Sequence, residues 1–330
     1  LRFGLLCLGL PCEQGASLIV ERREAPYVNA RQKSGRSRIR TKEAIMHLGN
    51  AALTPECALA ASAVAAGGLG FAAASLKHEL PKRDEWLMAG AFGSAVFAAQ
   101  MLNVPLLPHS SAHLVGGVLL AIVLRPALGA LTMAAILAAQ AILLGDGGLL
   151  SLGANVLNMA LLPAAIVALG NAWRSMPDHR LSAAAIGGIQ AALAVVLAAG
   201  LIVVEVGVAH DDVATFARAM LGSHMLVGAL EGLVTAGVLY ALRREAKWNT
   251  IFASAATLAV LAALPLASQM PDSYEAAALV SRWPQVLAST PYDVELANTW
   301  SVALFVGATA VVCCLMAFRP MPARVREKRL

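Results

Sequence analysis

Charge is scarce in this chain. Only 14% of its 330 residues are Asp, Glu, Lys or Arg, against about a quarter in ordinary soluble domains. Aromatic residues are scarce too, at 5%. The five cysteines (Cys7, Cys12, Cys57, Cys313 and Cys314) show neither CxxC nor finger spacing, which excludes the common zinc and redox motifs. No GxxxxGK[ST] segment is present to cradle a nucleotide phosphate, and neither an HExxH pair nor a nucleophile elbow occurs. The repeats of collagen and of coiled coils are missing as well. What is abundant is apolar, with 58% of residues hydrophobic. A soluble chain of this length has no interior large enough to hide that much apolar surface, and the low charge excludes disorder. Ala, Leu, Val and Gly dominate, small and aliphatic residues that let membrane helices approach closely. The reading is an all-α, polytopic membrane helix bundle.

The net charge of +5 is unevenly spread. Residues 1–45 hold nine Lys/Arg against four Glu, so the remaining 285 residues are neutral overall. The basic stretch has no interleaved aromatics or fold to bind nucleic acid. Its apolar run at 5–10 is short for a signal peptide and is followed by the charged 22–42 segment. Residues 1–45 are read as an over-extended or disordered N-terminal segment, with the working chain starting at Met46.

A membrane span needs about 20 mainly apolar residues. Nine segments qualify or come close: 56–76, 86–103, 111–125, 127–144, 150–171, 181–208, 217–242, 249–269 and 296–318. The third and fourth are short and divided by Pro126, which makes the count seven to nine. Breaks are expected at Pro81, Pro105/Pro108, Pro126, Gly145 to Gly148, Pro177 and Pro271. Lys and Arg favour cytoplasmic loops. Lys77, Lys82, Arg83, Arg125, Arg174, Arg180, Arg243, Arg244, Lys247 and the tail from Arg319 to Arg329 therefore go inside. The loops 103–110 and 145–149 have no Lys or Arg, and 270–295 has only Arg282. Nine spans alternate with this pattern, beginning outside and ending inside. Residues 46–247 are expected to form a seven-span core, and residues 248–330 a two-span unit with a polar outer loop and a basic cytoplasmic tail. The first span carries small residues at every fourth position, Ala58, Ser62, Ala66, Gly70 and Ala74. That spacing keeps them on one face, suited to packing within the chain or against a partner helix.

Of the seven histidines, the topology puts His47, His109 and His113 on the outer side. His78 and His179 fall in basic loops, and His210 sits beside Asp211 and Asp212 at an outer turn. If Met46 is the first residue, its α-amine, the His47 amide nitrogen and a His47 ring nitrogen form fused chelate rings. Planar nitrogen sets of this kind suit Ni²⁺ or Cu²⁺. His113 is placed to add a fourth ligand, and its spacing from His109 puts both on one face if a helix begins that early. Two further segments are polar at membrane depth. One runs from Gln140 through Gly145-Asp146-Gly147-Gly148 to Asn155 and Asn158, and the other holds Ser223, His224 and Glu231. Ionisable groups in spans usually face the bundle interior or a water path, and a structural hydrogen-bonding role is favoured for Glu231 and Asn155.

Four motifs in order resemble the CbiM/NikM family, the cobalt and nickel substrate-binding membrane components of energy-coupling-factor transporters. They are Met46-His47-Leu48-Gly49-Asn50, the stretch from Val104 to Gly117 with Ser110, Ser111 and His113, the stretch from Gln140 through Gly145-Asp146-Gly147-Gly148 to Asn155 and Met159, and His224 to Gly232. Pro271-Asp272-Ser273-Tyr274-Glu275 resembles the Pro-Asp-Gly-Leu-Glu motif of a small two-span companion often fused to that core, whose outer loop is thought to help metal reach the site. The Gly-Leu pair is replaced here, and Ala51 stands where many members have Gly. The resemblance implies that the Met46 amine, His47 and His113 bind Co²⁺ or Ni²⁺ as transported substrate. It also implies that Asn50 and Asn155 shape the site, with His109 and His224 as further pocket residues.

The expected function follows from the resemblance. The chain captures the ion at the outer face of a bacterial or archaeal cell membrane, for cobalamin synthesis or a nickel enzyme, and is not itself an enzyme. Release inward needs a transmembrane coupling component and cytoplasmic ATPase subunits. The lipid bilayer is a partner and nucleic acid is not. The rival readings are an organic-vitamin component, which wants an aromatic-lined pocket, an ion-coupled secondary transporter, which wants inverted repeats, and an intramembrane enzyme built on Asp146 or on His224 with Glu231.

Overall fold

The computed structural model describes residues 47–173, 179–208, 210, 213–288, 290, 293 and 295–319. The segment 1–45, Met46, and Asp211 and Asp212 lie outside the described residues. All described elements belong to one compact unit, residues 43–330.

The helices start and stop where local chemistry directs. Helix α1 (Pro55–Leu76) begins at Thr54, whose hydroxyl accepts from the Cys57 N–H at 3.3 Å, with Pro55 in the first turn where its missing N–H costs nothing. It is followed by α2 (Arg83–Gln100), the strands β1 (Val104–Leu107) and β2 (Ser110–Ala112), and the short α3 (Gly117–Val123). Pro126 opens α4 (Pro126–Ala139), which runs into a wider turn of helix at Gln140–Leu144 and ends at left-handed Gly145. A second wide turn, Leu157–Leu161, joins α5 (Leu152–Val156) to α6 (Leu162–Trp173). These two π-type segments bracket the Gly145-Asp146-Gly147-Gly148 loop, a placement that recurs at functional sites. Then come α7 (Arg180–Gly207), α8 (Val213–Ala241), α9 (Ala246–Ala263), α10 (Ser273–Val280) and α11 (Thr299–Phe318).

Among the described residues, seven helices are long and apolar enough to cross a membrane: Pro55–Leu76, Pro126–Leu144, Leu152–Ala172, Arg180–Gly207, Val213–Ala241, Ala246–Leu266 and Thr299–Phe318. That corrects the expectation of seven core spans plus two. The core supplies five and the C-terminal unit two, with no further pair. The segment 86–103 does form helix α2, of 18 residues, but it opens on the charged Arg83, Asp84 and Glu85. The segment 111–125 is not a span at all. Pro105 and Pro108 keep the stretch just ahead of it out of a helix, residues 104–112 fold as an antiparallel hairpin that takes in its start, and helix resumes only for the seven residues of α3.

Helix α2 is the most enclosed of the early helices. It packs against α4, α9 and α11, with Phe92, Val96, Ala98 and Gln100 nearly inaccessible. Helices α7 and α8 run together over most of their length. They pack tightly at Gly188 and Gly232: a Cβ on Gly188 would lie 2.6 Å from the Gly232 carbonyl oxygen. The bundle has two chemically distinct ends. At one end the basic loops contact each other, Arg83 reaching the Met316 carbonyl, Arg180 the Leu242 carbonyl, and Arg125 the Glu79 and Glu85 carboxylates. At the other end the loop around Asp146, the hairpin and the segment before α11 come together, with Ala297 N–H donating to the Leu143 carbonyl at 2.9 Å and Ser268 N–H to the Asn103 carbonyl at 2.8 Å.

Candidate metal site

The site is built by clamping the first described residues. Leu48 is held on both sides by one side chain: its N–H donates to Asn155 Oδ1 at 3.1 Å, and Asn155 Nδ2 donates to its carbonyl, also at 3.1 Å. Gly148 N–H adds a second donor to the Leu48 carbonyl at 2.8 Å. Ser151 Oγ donates to the Gly49 carbonyl at 2.6 Å, and Leu150 N–H donates to Asn50 Oδ1 at 2.8 Å. The turn at Gly49 to Ala52 then leads into α1. The segment is held by the loop residues Gly148, Leu150 and Ser151 and by Asn155 of α5, as buried backbone groups require.

This clamp buries His47, which is 4% exposed. Its Nδ1 lies 3.2 Å from Asp146 Oδ2, an ion-pair distance whose angles fall outside hydrogen-bond geometry. Neither ring nitrogen of His47 has a hydrogen-bond partner among the described residues. Buried polar atoms are nearly always satisfied, so a buried imidazole with Nδ1 held only by that ion-pair contact and Nε2 without a hydrogen bond is an exception that asks for a ligand. The His113 ring faces it, the two centroids 5.7 Å apart, with His113 Nδ1 3.1 Å from the Leu114 carbonyl oxygen.

Both imidazoles line a cavity of about 80 Å³. That is far below the roughly 300–1,000 Å³ of sites for drug-sized molecules, and it suits an ion with a few waters. Its walls are mainly apolar side chains from α7 and α8, with Asn155, Asn158, His224 and Glu231 as the polar groups of the core. His224 keeps Nδ1 2.8 Å from the Met220 carbonyl oxygen. Among the described residues, no three His, Cys, Asp or Glu side chains stand together as a metal-binding group. A site here needs backbone or terminal nitrogens as well.

The remaining wall comes from the segment ahead of α10. Asp272, Ser273 and Tyr274 line the same cavity. Ser111 anchors them: its N–H donates to the Pro271 carbonyl at 2.8 Å and its hydroxyl to the Met270 carbonyl at 2.8 Å. Asp272 caps α10 by accepting from Glu275 N–H at 2.7 Å, while Glu275 reaches back to Asp272 N–H. Burial first, then the adjacent Glu275 carboxylate, push the Asp272 carboxyl well above the usual carboxylate range, although hydrogen bonds from the Glu275 and Tyr274 backbones pull it down.

The candidate residues sort as follows. His47, His113, Asn155 and His224 meet at one cavity. Asn50 stands one layer out and ties the clamp to the segment before α11, Nδ2 donating to Asp293 Oδ1 at 2.8 Å. His109 is exposed near the turn of the β1/β2 hairpin and does not line the cavity, so the shared helical face expected for His109 and His113 is corrected to a strand turn. His210, expected at a solvated turn, stacks on Trp283 with centroids 4.3 Å apart. The sequence reading missed the contact of Asp146 with His47 and the place of Asp272 in the wall. Both lie in motifs that it singled out, but no periodicity links them to His47.

A family model described as the cobalt uptake substrate-specific transmembrane region, CbiM, matches residues 47–250. A putative metal transport protein of Haloquadratum walsbyi is 36% identical over 174 residues, covering 52% of this chain and 77% of that protein. A putative fused nickel transport protein NikMN of Archaeoglobus fulgidus is 40% identical over 154 residues, 46% of this chain and 50% of that protein. The cobalt transport protein CbiM of Streptomyces coelicolor is 36% identical over 117 residues, 35% of this chain and 50% of that protein. The chain thus spans half the length of the last two relatives. A crystal structure of a truncated transition metal transporter matches at 32% identity and a TM-score of 0.49, over 59% of this chain and 97% of that one.

Proposed function

The chain belongs to the CbiM family of cobalt-uptake transmembrane proteins, and from that membership we propose that it captures Co²⁺ or Ni²⁺ at the His47/His113 cavity. The observation that carries the proposal is the buried His47 imidazole facing His113, its Nδ1 3.2 Å from Asp146 Oδ2 and its Nε2 without a hydrogen-bond partner among the described residues. The ligands are the α-amine of a chain beginning at Met46, the amide nitrogen of His47, which gives up its proton to solvent on binding, a ring nitrogen of His47, and a ring nitrogen of His113. Chelation through its own amide requires His47 Nδ1, the atom now beside Asp146, so the ion takes the place of that contact. Asn50 and Asn155 hold the chelating segment, and His224 lines its pocket. Titration of protein beginning at Met46 with either ion tests this. One ion per chain is expected, and no binding of either would end the proposal.

Membership in a transport family supports a transport role over an enzymatic one. Orientation follows from charge: the basic end faces the cytoplasm, which puts the site outside. Residues 46–247 act as the capturing core. Residues 248–330 act as a fused companion, as the name of the Archaeoglobus relative implies for that protein, with the Asp272 segment closing one wall. With no P-loop in the chain, energy for release comes from separate ATPase subunits acting through a transmembrane coupling partner.

Helix α1 offers that partner a surface. Only 17% of its most apolar window is buried, the least of the seven spans. Its small-residue stripe divides: Ala58 and Ser62 are half-buried, with Ser62 against Gly153, while Ala66, Gly70 and Ala74 are exposed. Ala66→Trp is expected to reduce co-purification of the coupling partner at least about tenfold and to leave Ni²⁺ binding by the isolated chain unchanged. Undiminished co-purification would remove α1 from the interface.

A further inference from the structure

The cavity has a fastening that the capture proposal does not use. Glu231, on α8, is 3% exposed. Its two carboxylate oxygens each accept one backbone N–H from consecutive residues, Val115 at 2.9 Å and Gly116 at 2.7 Å. The same peptide is gripped from the other side by α2, where Gln100 Nε2 donates to the Val115 carbonyl at 2.8 Å. Gln100 is fully buried. Gly116 is left-handed, with φ 77°, and a Cβ there would lie 2.6 Å from Val96, so this turn has little freedom of its own. His113 stands two residues before the gripped peptide. Next to Glu231, Gly232 is in backbone contact with Gly188 of α7, which fixes α8 at the level of the grip.

We infer that Glu231 is a positioning residue for metal capture, acting through His113, and that it makes the His113 ligand sensitive to the position of α8. The inference rests on the capture reading above. The chain of contacts is short and rigid: carboxylate to the 115–116 backbone, and backbone to the His113 ring two residues away. While Glu231 holds both N–H groups, the ring is kept at the cavity beside His47. A displacement of α8 relative to α2 pulls one grip against the other, and the segment that must yield carries His113. Losing one nitrogen from a four-nitrogen set lowers affinity, so movement of a helix that bears none of the ion's ligands is converted into release. The carboxylate suits this task because both of its oxygens are acceptors, matching two adjacent N–H groups. An amide offers one acceptor and one donor group.

The test is a double-mutant cycle read by the rate at which bound Ni²⁺ is lost to excess chelator, using protein that begins at Met46. Glu231→Gln is expected to speed dissociation at least about tenfold, because one of two charge-assisted hydrogen bonds is lost. In a His113→Ala background, whose own dissociation is already faster, the same change is expected to act less than about twofold. Glu231→Asp is expected to fall between Glu and Gln. Should Glu231→Gln not yield folded protein, Gln100→Leu loosens the same peptide from the α2 side and is read in the same cycle. An equal effect of the loosening substitution in both backgrounds would assign these groups to the fold rather than to His113 and overturn the inference, as would no effect in either. Absence of Ni²⁺ binding by the unsubstituted protein is a different result, and it would remove the capture reading itself.

Discussion

Protein that begins at Met46 is expected to bind Ni²⁺ at least about a hundredfold more tightly than protein carrying residues 1–45 ahead of it, a difference near 2.7 kcal/mol. The argument is one of donor chemistry. A free α-amine at Met46 has a lone pair and closes a five-membered chelate ring with the His47 amide nitrogen. Preceded by another residue, the same nitrogen belongs to a peptide bond, where its lone pair is delocalised, and the free amine that anchors the ion while the His47 amide loses its proton is gone. Three His, Cys, Asp or Glu side chains do not meet at the cavity among the described residues, so no side-chain set stands ready to compensate. Acetylating the Met46 amine is expected to reproduce the loss, which separates the amine's chemistry from the bulk of the extension. Calorimetric titration of the three forms checks it. Equal affinity in all three would show that the amine is not a ligand.

The second large effect is expected at Gly148. A Cβ there would lie 2.3 Å from the Asn50 backbone nitrogen and 2.6 Å from the Gly49 carbonyl carbon. Both are backbone atoms of the chelating segment, so no side chain can swing away to relieve the clash. Gly148→Ala must push residues 49–50 outward, and the Gly148 N–H bond to the Leu48 carbonyl goes with them. Overpacking of this kind typically costs about 1–3 kcal/mol, and here the strain falls directly on the residues beside His47. Ni²⁺ affinity is expected to fall at least about tenfold, with a lowered thermal midpoint. Gly67→Ala serves as the comparison, since nothing lies within 4 Å of its new methyl group, and it should leave affinity unchanged. If Gly148→Ala binds as tightly as the parent protein, the loop does not position the chelating segment.

Much of this was legible in the residues, and the parts that were not share a cause. Apolar runs bounded by Pro and Gly mark the seven long helices, because a helix in a membrane must satisfy its own backbone and leaves a continuous apolar stretch behind. The second segment differs from the seven because helix α2, only 18 residues long, takes the charged Arg83, Asp84 and Glu85 into its first turn, so its apolar part is shorter than the run from 86 to 103 suggested. The break at Pro105 and Pro108 was read correctly, but the third segment failed because the hairpin that fills the break runs on to Ala112 and leaves only seven helical residues before Pro126. At the site, His47, His113 and Asn155 could be named from their motifs. Contacts such as Leu48 to Asn155, 107 residues apart, or His47 to Asp146 arise only when the loop folds back over the first described residues. Glu231 was visible as a charge at membrane depth, with a structural role favoured. That it grips the peptide beside His113 depends on a left-handed Gly116, which the sequence Gly116-Gly117 permits but does not announce.

The most direct test of the central claim is the X-ray absorption spectrum of Ni²⁺ bound to protein beginning at Met46, recorded beside that of the His113→Ala variant. A planar shell of four nitrogen donors is expected, since such sets favour that geometry, with one nitrogen lost or replaced by oxygen when His113 is removed. An oxygen-rich octahedral shell, or a nitrogen shell unchanged in His113→Ala, would contradict capture by the amine, His47 and His113.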